Sequence, residues 1–212
     1  MRPNYTHLII VLDKSGSMAD LASDTIGGVN RLVAEQKALP GNFTSSLYLF
    51  NQFVSEVVSF VALDTTNYQP QGSTALLDAV CTAIDQEGLE LSRLPEQNRP
   101  DKVVVLIVTD AQENASLKFK REDERTRIKT QTDTYKWQFV FLGANIDAFA
   151  EASSLGISPN STQQFDFTSQ GITYSYCSTS RSMANYRADK TTNVDMTDMT
   201  ATPVEITTTP TL

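Results

Sequence analysis

His7-Leu-Ile-Ile-Val-Leu-Asp-Lys-Ser-Gly-Ser-Met18 is the stretch from which the fold is read. Its first half is an unbroken apolar run, which suits a strand covered on both faces, as in a parallel sheet. At Asp13 the run turns polar, and oxygen-bearing side chains follow at alternate positions, Asp13, Ser15 and Ser17. From Met18 to Ala38 the spacing predicts a helix, with Ile26, Val29 and Val33 along one stripe and Pro40-Gly41 to stop it.

Working outward, Ser46–Phe50 and Val54–Ala62 read as strands joined by a polar turn at Asn51-Gln52, a hairpin and therefore one antiparallel edge. A loop with Asn67, Pro70 and Gly72 leads to a predicted helix over Thr74–Leu94, whose stripe is Leu76/Leu77, Val80/Cys81, Ile84 and Leu91. Lys102–Asp110 is the most apolar segment and reads as the central strand. A charged helix over Leu117–Tyr135 returns the chain to a strand at Trp137–Leu142, and a further helix ends near Leu155-Gly156, with glycine in its usual C-terminal place. Strands alternating with helices of this length imply right-handed crossovers. The fold class is α/β: a doubly wound, mostly parallel sheet with one antiparallel edge strand and helices on both faces. Ser169–Arg187 offers one more helix, weakened by Gly171 and by its Ser, Thr and Tyr content. The domain is thus expected over residues 1–188. Residues 189–212 are Thr-rich, carry Pro203 and Pro210, and read as a flexible or extended tail. An extended tail also suits strand addition to a neighbour.

With 212 residues, 40% hydrophobic and 20% charged, the chain has the composition of one soluble globular domain. A net charge of −8 argues against nucleic acid, because phosphate binding relies on clustered Lys and Arg. The one basic run, from Lys118 through Lys129, is interrupted by Glu122, Asp123 and Glu124 and reads as a solvated helix face. The opening residues lack an apolar signal core, and Leu8–Leu12 is too short to span a membrane, so no membrane association and a cytoplasmic location are expected. Cys81 and Cys177 would then stay reduced, with Cys81 acting as a small buried hydrophobe.

In an open α/β sheet, ligands bind beyond the C-terminal ends of the strands, where strand order reverses. Three strand-to-helix junctions place oxygen donors on that edge: Asp13, Ser15 and Ser17 after the first strand, Thr74 after Gly72-Ser73, and Asp110 after the central strand. Hydroxyls and carboxylates are hard donors and select Mg²⁺ or Mn²⁺ over zinc. Four of these residues also have an ordinary structural role open to them. Ser15, Ser17 or Thr74 suits a helix N-cap, and Asp110 suits a turn after a strand.

The pattern D-x-S-x-S after the first strand, then a Thr in a Gly-rich loop, then an Asp ending a later strand, resembles the metal-ion-dependent adhesion site (MIDAS) of von Willebrand factor type A (vWA) domains. The resemblance covers residues 5–156 and places the family's metal ligands at Asp13, Ser15, Ser17, Thr74 and Asp110. It implies a Rossmann-like vWA fold holding Mg²⁺ (or Mn²⁺), with hydroxyls providing much of the inner shell and aspartates acting through water. A Glu or Asp carboxylate from a partner protein would complete the coordination. That is a binding module rather than an enzyme, and small stand-alone proteins resembling this one occur in bacteria and their phages. The chain departs from the family at Ala111, where T-D-G is frequent; a positive φ there would strain alanine. Asn145 and Asp147, on the same edge, suit either the rim of the site or a turn and N-cap.

Two other functions compete. Some Mg²⁺-dependent phosphoryl-transfer enzymes share this sheet, but the haloacid dehalogenase-like pattern needs a second acid where Ser15 stands. Neither G-x-x-x-x-G-K-[ST] nor G-x-G-x-x-G is present. The sole histidine, His7, lies at the start of the first strand, away from Ser15 and Ser17, and no His/Cys cluster offers zinc. The other competitor is a structural or assembly protein acting through its C-terminal tail.

Overall fold

A computed structural model of the chain describes residues 1–57 and 62–197. The elements run β1 (Arg2–Asp13), a 3-10 helix (Gly16–Leu21), α1 (Ala22–Ala38), β2 (Asn42–Phe50), β3 (Val54–Val57), α2 (Leu76–Arg93), β4 (Pro100–Thr109) and α3 (Arg121–Tyr135). They continue through β5 (Gln138–Gly143), α4 (Ala148–Leu155), β6 (Thr162–Gln164) and α5 (Ser169–Arg187). The strands form one sheet in the order β3-β2-β1-β4-β5-β6, parallel throughout except for β3, which pairs antiparallel with β2. From β1 the chain builds outward to β2 and β3, then crosses back to place β4 on the other side of β1. Strand order therefore reverses between β1 and β4, and a crevice opens beyond their C-terminal ends.

The alternation of side chains along β1 divides the core into two layers. Leu8, Ile10 and Leu12 face α1 and α5, meeting Val29, Leu32, Val33, Ile172, Tyr176 and Met183. Ile9 and Val11 face α2, α3 and α4, meeting Leu76, Val80, Ile84, Ile128, Ala152 and Leu155. Both faces of β1 and β4 are thus covered, which is why their sequences read as continuous apolar runs. Cys81 is buried on α2 as the stripe predicts, and both cysteines are unpaired.

Several boundaries differ from the sequence reading. β1 begins at Arg2 and β2 at Asn42, because backbone pairing continues through exposed residues that leave no apolar trace. The hairpin partner is described over Val54–Val57; residues 58–61 of the expected strand lie outside the described residues, and Ala62 is not in a strand. Helix α3 begins at Arg121 rather than Leu117, since the Asp78 carboxylate on α2 takes the N–H groups of Leu117, Lys118 and Phe119 and holds them out of the helix. The basic run on α3 is largely ion-paired: Arg121 with Glu151, Arg127 with Asp85, Lys129 with Asp133. Strand β6 went unread because three polar residues show no period, yet they pair with the end of β5.

Past Arg187 the chain does not leave the domain at once. Val194 and Met196 are buried in the α1/α5 layer, and the Met196 N–H donates to the Asn160 carbonyl at 2.7 Å. Of the segment read as a tail, residues 198–212 lie outside the described residues.

Candidate metal centre

The loop after β1 and the end of β4 meet at the point where strand order reverses. Asp13 is fully buried, and both its carboxylate oxygens are held: Oδ1 accepts the Ser15 backbone N–H at 2.6 Å, and Oδ2 accepts the Thr109 hydroxyl at 2.6 Å. The Ser15 and Ser17 hydroxyls lie 3.1 Å apart, and Ser17 Oγ donates to Asp110 Oδ1 at 2.7 Å. Four of the five expected residues, Asp13, Ser15, Ser17 and Asp110, are therefore joined in one network. Thr74 belongs to the facing loop. That loop is pinned to the first by Gly16 N–H donating to the Gly72 carbonyl at 3.0 Å and Gln71 N–H donating to the Lys14 carbonyl at 2.8 Å. Thr74 itself is buried, its N–H donating to Asn114 Oδ1 and its carbonyl accepting from Asn114 and Ala115.

Helix capping does not explain these side chains. Ser15 stands at the N-cap of the 3-10 helix, yet its hydroxyl makes no cap bond and lies against Ser17 instead. The N-cap of α2 is Ala75, one residue past Thr74. Asp110 is buried, and its Oδ2 has no hydrogen-bond partner. An oxygen desolvated without a partner destabilises the fold by about 1–3 kcal/mol, more if charged. Burial pushes the Asp13 carboxyl up to about 6 against the pull of its hydrogen bonds from Thr109 and Ser15, and burial likewise raises Asp110 while the Ser17 hydroxyl lowers it. A cation beside the pair would favour the ionised forms. Among the described residues, no three or more His, Cys, Asp or Glu side chains converge as metal ligands. A cation held here must therefore use hydroxyl oxygens beside the two carboxylates. The donor set present, hydroxyls with buried carboxylate oxygen, fits Mg²⁺ or Mn²⁺.

A ring of residues invisible to motif reading fixes the loops. The buried Tyr68 hydroxyl donates to the Asp13 carbonyl at 2.7 Å. Thr109 both holds Asp13 and bridges to the backbone of Ala111. The Asn51 side-chain amide donates to the Gln71 carbonyl, and Glu113 accepts the Leu77 N–H at the start of α2. Polar residues in loops were visible as loops; their partners, tens of positions away, were not. Gly72 has φ +81°, a left-handed conformation that favours glycine, and a Cβ there would also displace the Gln52 side-chain amide. Ala111 is absent from the positive-φ residues, so its replacement of glycine carries no strain. Asn145 takes a left-handed turn conformation, φ +53°, and Asp147 N-caps α4 by accepting the Ala150 N–H, both structural roles. His7 is buried elsewhere, bonded to Glu87 at 3.0 Å and Thr44 at 2.8 Å.

The sheet order and crevice define a von Willebrand factor type A-like fold. Several solved structures are similar to the chain in fold. Proximal thread matrix protein 1 from the mussel byssus superposes with a TM-score of 0.62 at 11% identity, over 82% of this chain and 47% of that one. The same protein with a zinc-occupied MIDAS motif gives 0.59 at 11% identity, over 81% and 46%. Manganese-loaded TRAP protein of Plasmodium vivax gives 0.55 at 16% identity, over 79% and 70%. This chain spans about half the length of the mussel protein. No protein-family model matches the chain, and no curated protein matches it by sequence. Among the described residues, no helix is long and apolar enough to cross a membrane.

Proposed function

We propose that the chain is a non-catalytic, metal-dependent protein-binding module. Asp13, Ser15, Ser17, Thr74 and Asp110 would hold Mg²⁺ or Mn²⁺. When bound, the ion supplies a positive charge, poorly neutralised by hydroxyl ligands, that attracts a Glu or Asp carboxylate of a partner protein. The chain's own residues prepare that contact. Thr109 and the Ser15 backbone immobilise the Asp13 carboxylate, Ser17 orients Asp110, and Gly72 lets the Thr74 loop approach. The observation that carries the reading is the buried, unpartnered Oδ2 of Asp110 inside a hydroxyl network at the point of strand reversal. It is supported by the fold's likeness to structures with zinc in a MIDAS motif and with manganese. The unpaired Cys81 and Cys177 suit a reducing, cytoplasmic compartment.

Thermal unfolding with and without Mg²⁺ or Mn²⁺ tests this. A cation binding only the native state, at a hundredfold excess over Kd, stabilises by about 2.7 kcal/mol, which is roughly 5–10 °C for a domain of this size. Asp110→Ala and Asp13→Ala should each remove the shift while circular dichroism shows the fold intact. A shift that persists in both variants would place the cation elsewhere.

A further inference from the structure

Thr74 stands on a different loop from the other candidate ligands, and its backbone is bonded to the segment that follows Asp110. Its N–H donates to Asn114 Oδ1 at 2.9 Å, and its carbonyl accepts the Asn114 and Ala115 N–H groups at 3.0 and 3.1 Å. The helix that Thr74 leads into is capped from the same segment. Ala75, at the N-cap of α2, has no side-chain oxygen to offer, and the first N–H groups of a helix need acceptors. Glu113 Oε2 accepts the Leu77 N–H at 3.0 Å, and Ser116 Oγ accepts the Asp78 N–H at 3.0 Å. A carboxylate suits that place, because the positive end of the helix dipole faces it. Glu113 is itself held, Oε1 accepting the Ala115 and Ser116 N–H groups and Oε2 the Ser116 hydroxyl. Asp78 returns the contact from α2: its carboxylate accepts the Leu117, Lys118 and Phe119 N–H groups at 2.9, 3.0 and 2.8 Å. Residues 113–119 and the start of α2 are thus clasped by carboxylates reaching in both directions.

We infer that Asn114 is a positioning residue of the metal centre: it sets where Thr74 lies relative to Asp110, and so how tightly the cation is held, with Glu113 fixing the segment that carries it. The inference rests on the metal reading above and deepens it. Asp13, Ser15, Ser17 and Asp110 are joined through their own polar groups. A ligand on a facing loop reaches a shared ion only where its backbone is held in place. On the β1 side that loop is held through the Gly16–Gly72 and Lys14–Gln71 bonds, and on the β4 side through Asn114. Residues that orient a ligand without touching the ion change metal affinity by about 10–100-fold when removed. Asn114 is exposed, so shortening it to alanine opens no core cavity.

Mn²⁺ titration of the full chain, followed by the electron paramagnetic resonance signal of the free ion, tests this alongside metal-free thermal melts. Asn114→Ala should weaken Mn²⁺ binding by at least about tenfold. Glu113→Ala should weaken it in the same direction. Because Asn114 acts through Thr74, the losses should not add: in a Thr74→Ala background, Asn114→Ala should change the affinity by less than about twofold. The same cycle run with Glu113→Ala decides should Asn114→Ala fail to fold. Gly28→Ala, which crowds Tyr176 between α1 and α5, should lower the metal-free melting temperature and leave Mn²⁺ affinity at the parent's value. If Asn114→Ala and Glu113→Ala melt lower but bind Mn²⁺ like the parent, the clasp supports the fold alone and the inference is overturned. Additive losses in the double variant, or an equal loss of affinity in Gly28→Ala, overturn it as well, and each leaves the metal site standing. Absence of Mn²⁺ binding by the parent chain overturns the metal reading instead.

Discussion

At the scale of single residues, oxygen atoms buried without partners mark where this fold is under tension. Asp110 Oδ2 is one, and the proposed cation would give it a partner. Glu124 on α3 is another: it is fully buried, and neither carboxylate oxygen has a partner. Burial pushes its carboxyl up to about 8; Arg121 pulls it down, while Glu151 and Glu113 push the same way as burial. Unfolded, the group titrates near about 4.3. Between those values the folded chain retains a proton that the unfolded chain has released. This group's contribution is therefore full in acid and is lost as pH rises towards 8. Glu124→Gln removes the titration, so urea denaturation at pH 5, 6.5 and 8 should show a flatter profile. At pH 8 the variant should be more stable than the parent by on the order of 4–5 kcal/mol. Parallel profiles for the two proteins would mean that Glu124 is ionised in the fold and has found a donor. The sequence placed Glu124 on a helix but in a solvated charged face; nothing in the local pattern of Arg121–Lys129 distinguishes the one acid turned inward.

At the scale of elements, helix packing separates two adjacent glycines that look alike in sequence. A Cβ on Gly28 would lie 2.1 Å from Tyr176 of α5, while a Cβ on Gly27 meets nothing within 4 Å. Gly28→Ala should therefore destabilise by about 1–3 kcal/mol, through displacement of a buried ring. Gly27→Ala should stabilise by about 0.5–1 kcal/mol, because alanine loses less backbone entropy in a helix. Thermal melts of the two single variants decide it, and same-sign changes would contradict the packing of α1 against α5. The long elements β1, α1, α2, β4 and β5 were legible because burial imposes a period on them. The ends of β1, β2 and α3 were not, since exposed backbone pairing and the Asp78 carboxylate act without any period. The five candidate ligands were legible as a spacing after strands, whereas Tyr68, Thr109, Asn51 and Glu113 act through partners far along the chain.

For the whole molecule, the domain closes later than its composition suggests. Val194 is fully buried and Met196 nearly so, tied down through Asn160, Ser161 and Ser182. In urea denaturation a chain ending after Ala188 should be less stable than one ending after Thr197 by about 3 kcal/mol or more, the burial of two apolar side chains. Equal stability of the two would contradict the packing of Val194 and Met196 into the α1/α5 layer. What the sequence by itself determined is the alternation of strand and helix, the two-sided burial of β1 and β4, and the residue types that face the crevice. Each of these is a local consequence of side-chain period and of turns at strand ends. Only the tertiary structure decided which carboxylates lost their solvent, which glycine touches a ring, and that Val194 and Met196 pack back into the α1/α5 layer. Those depend on neighbours brought together from distant parts of the chain, and local pattern does not encode distance in space.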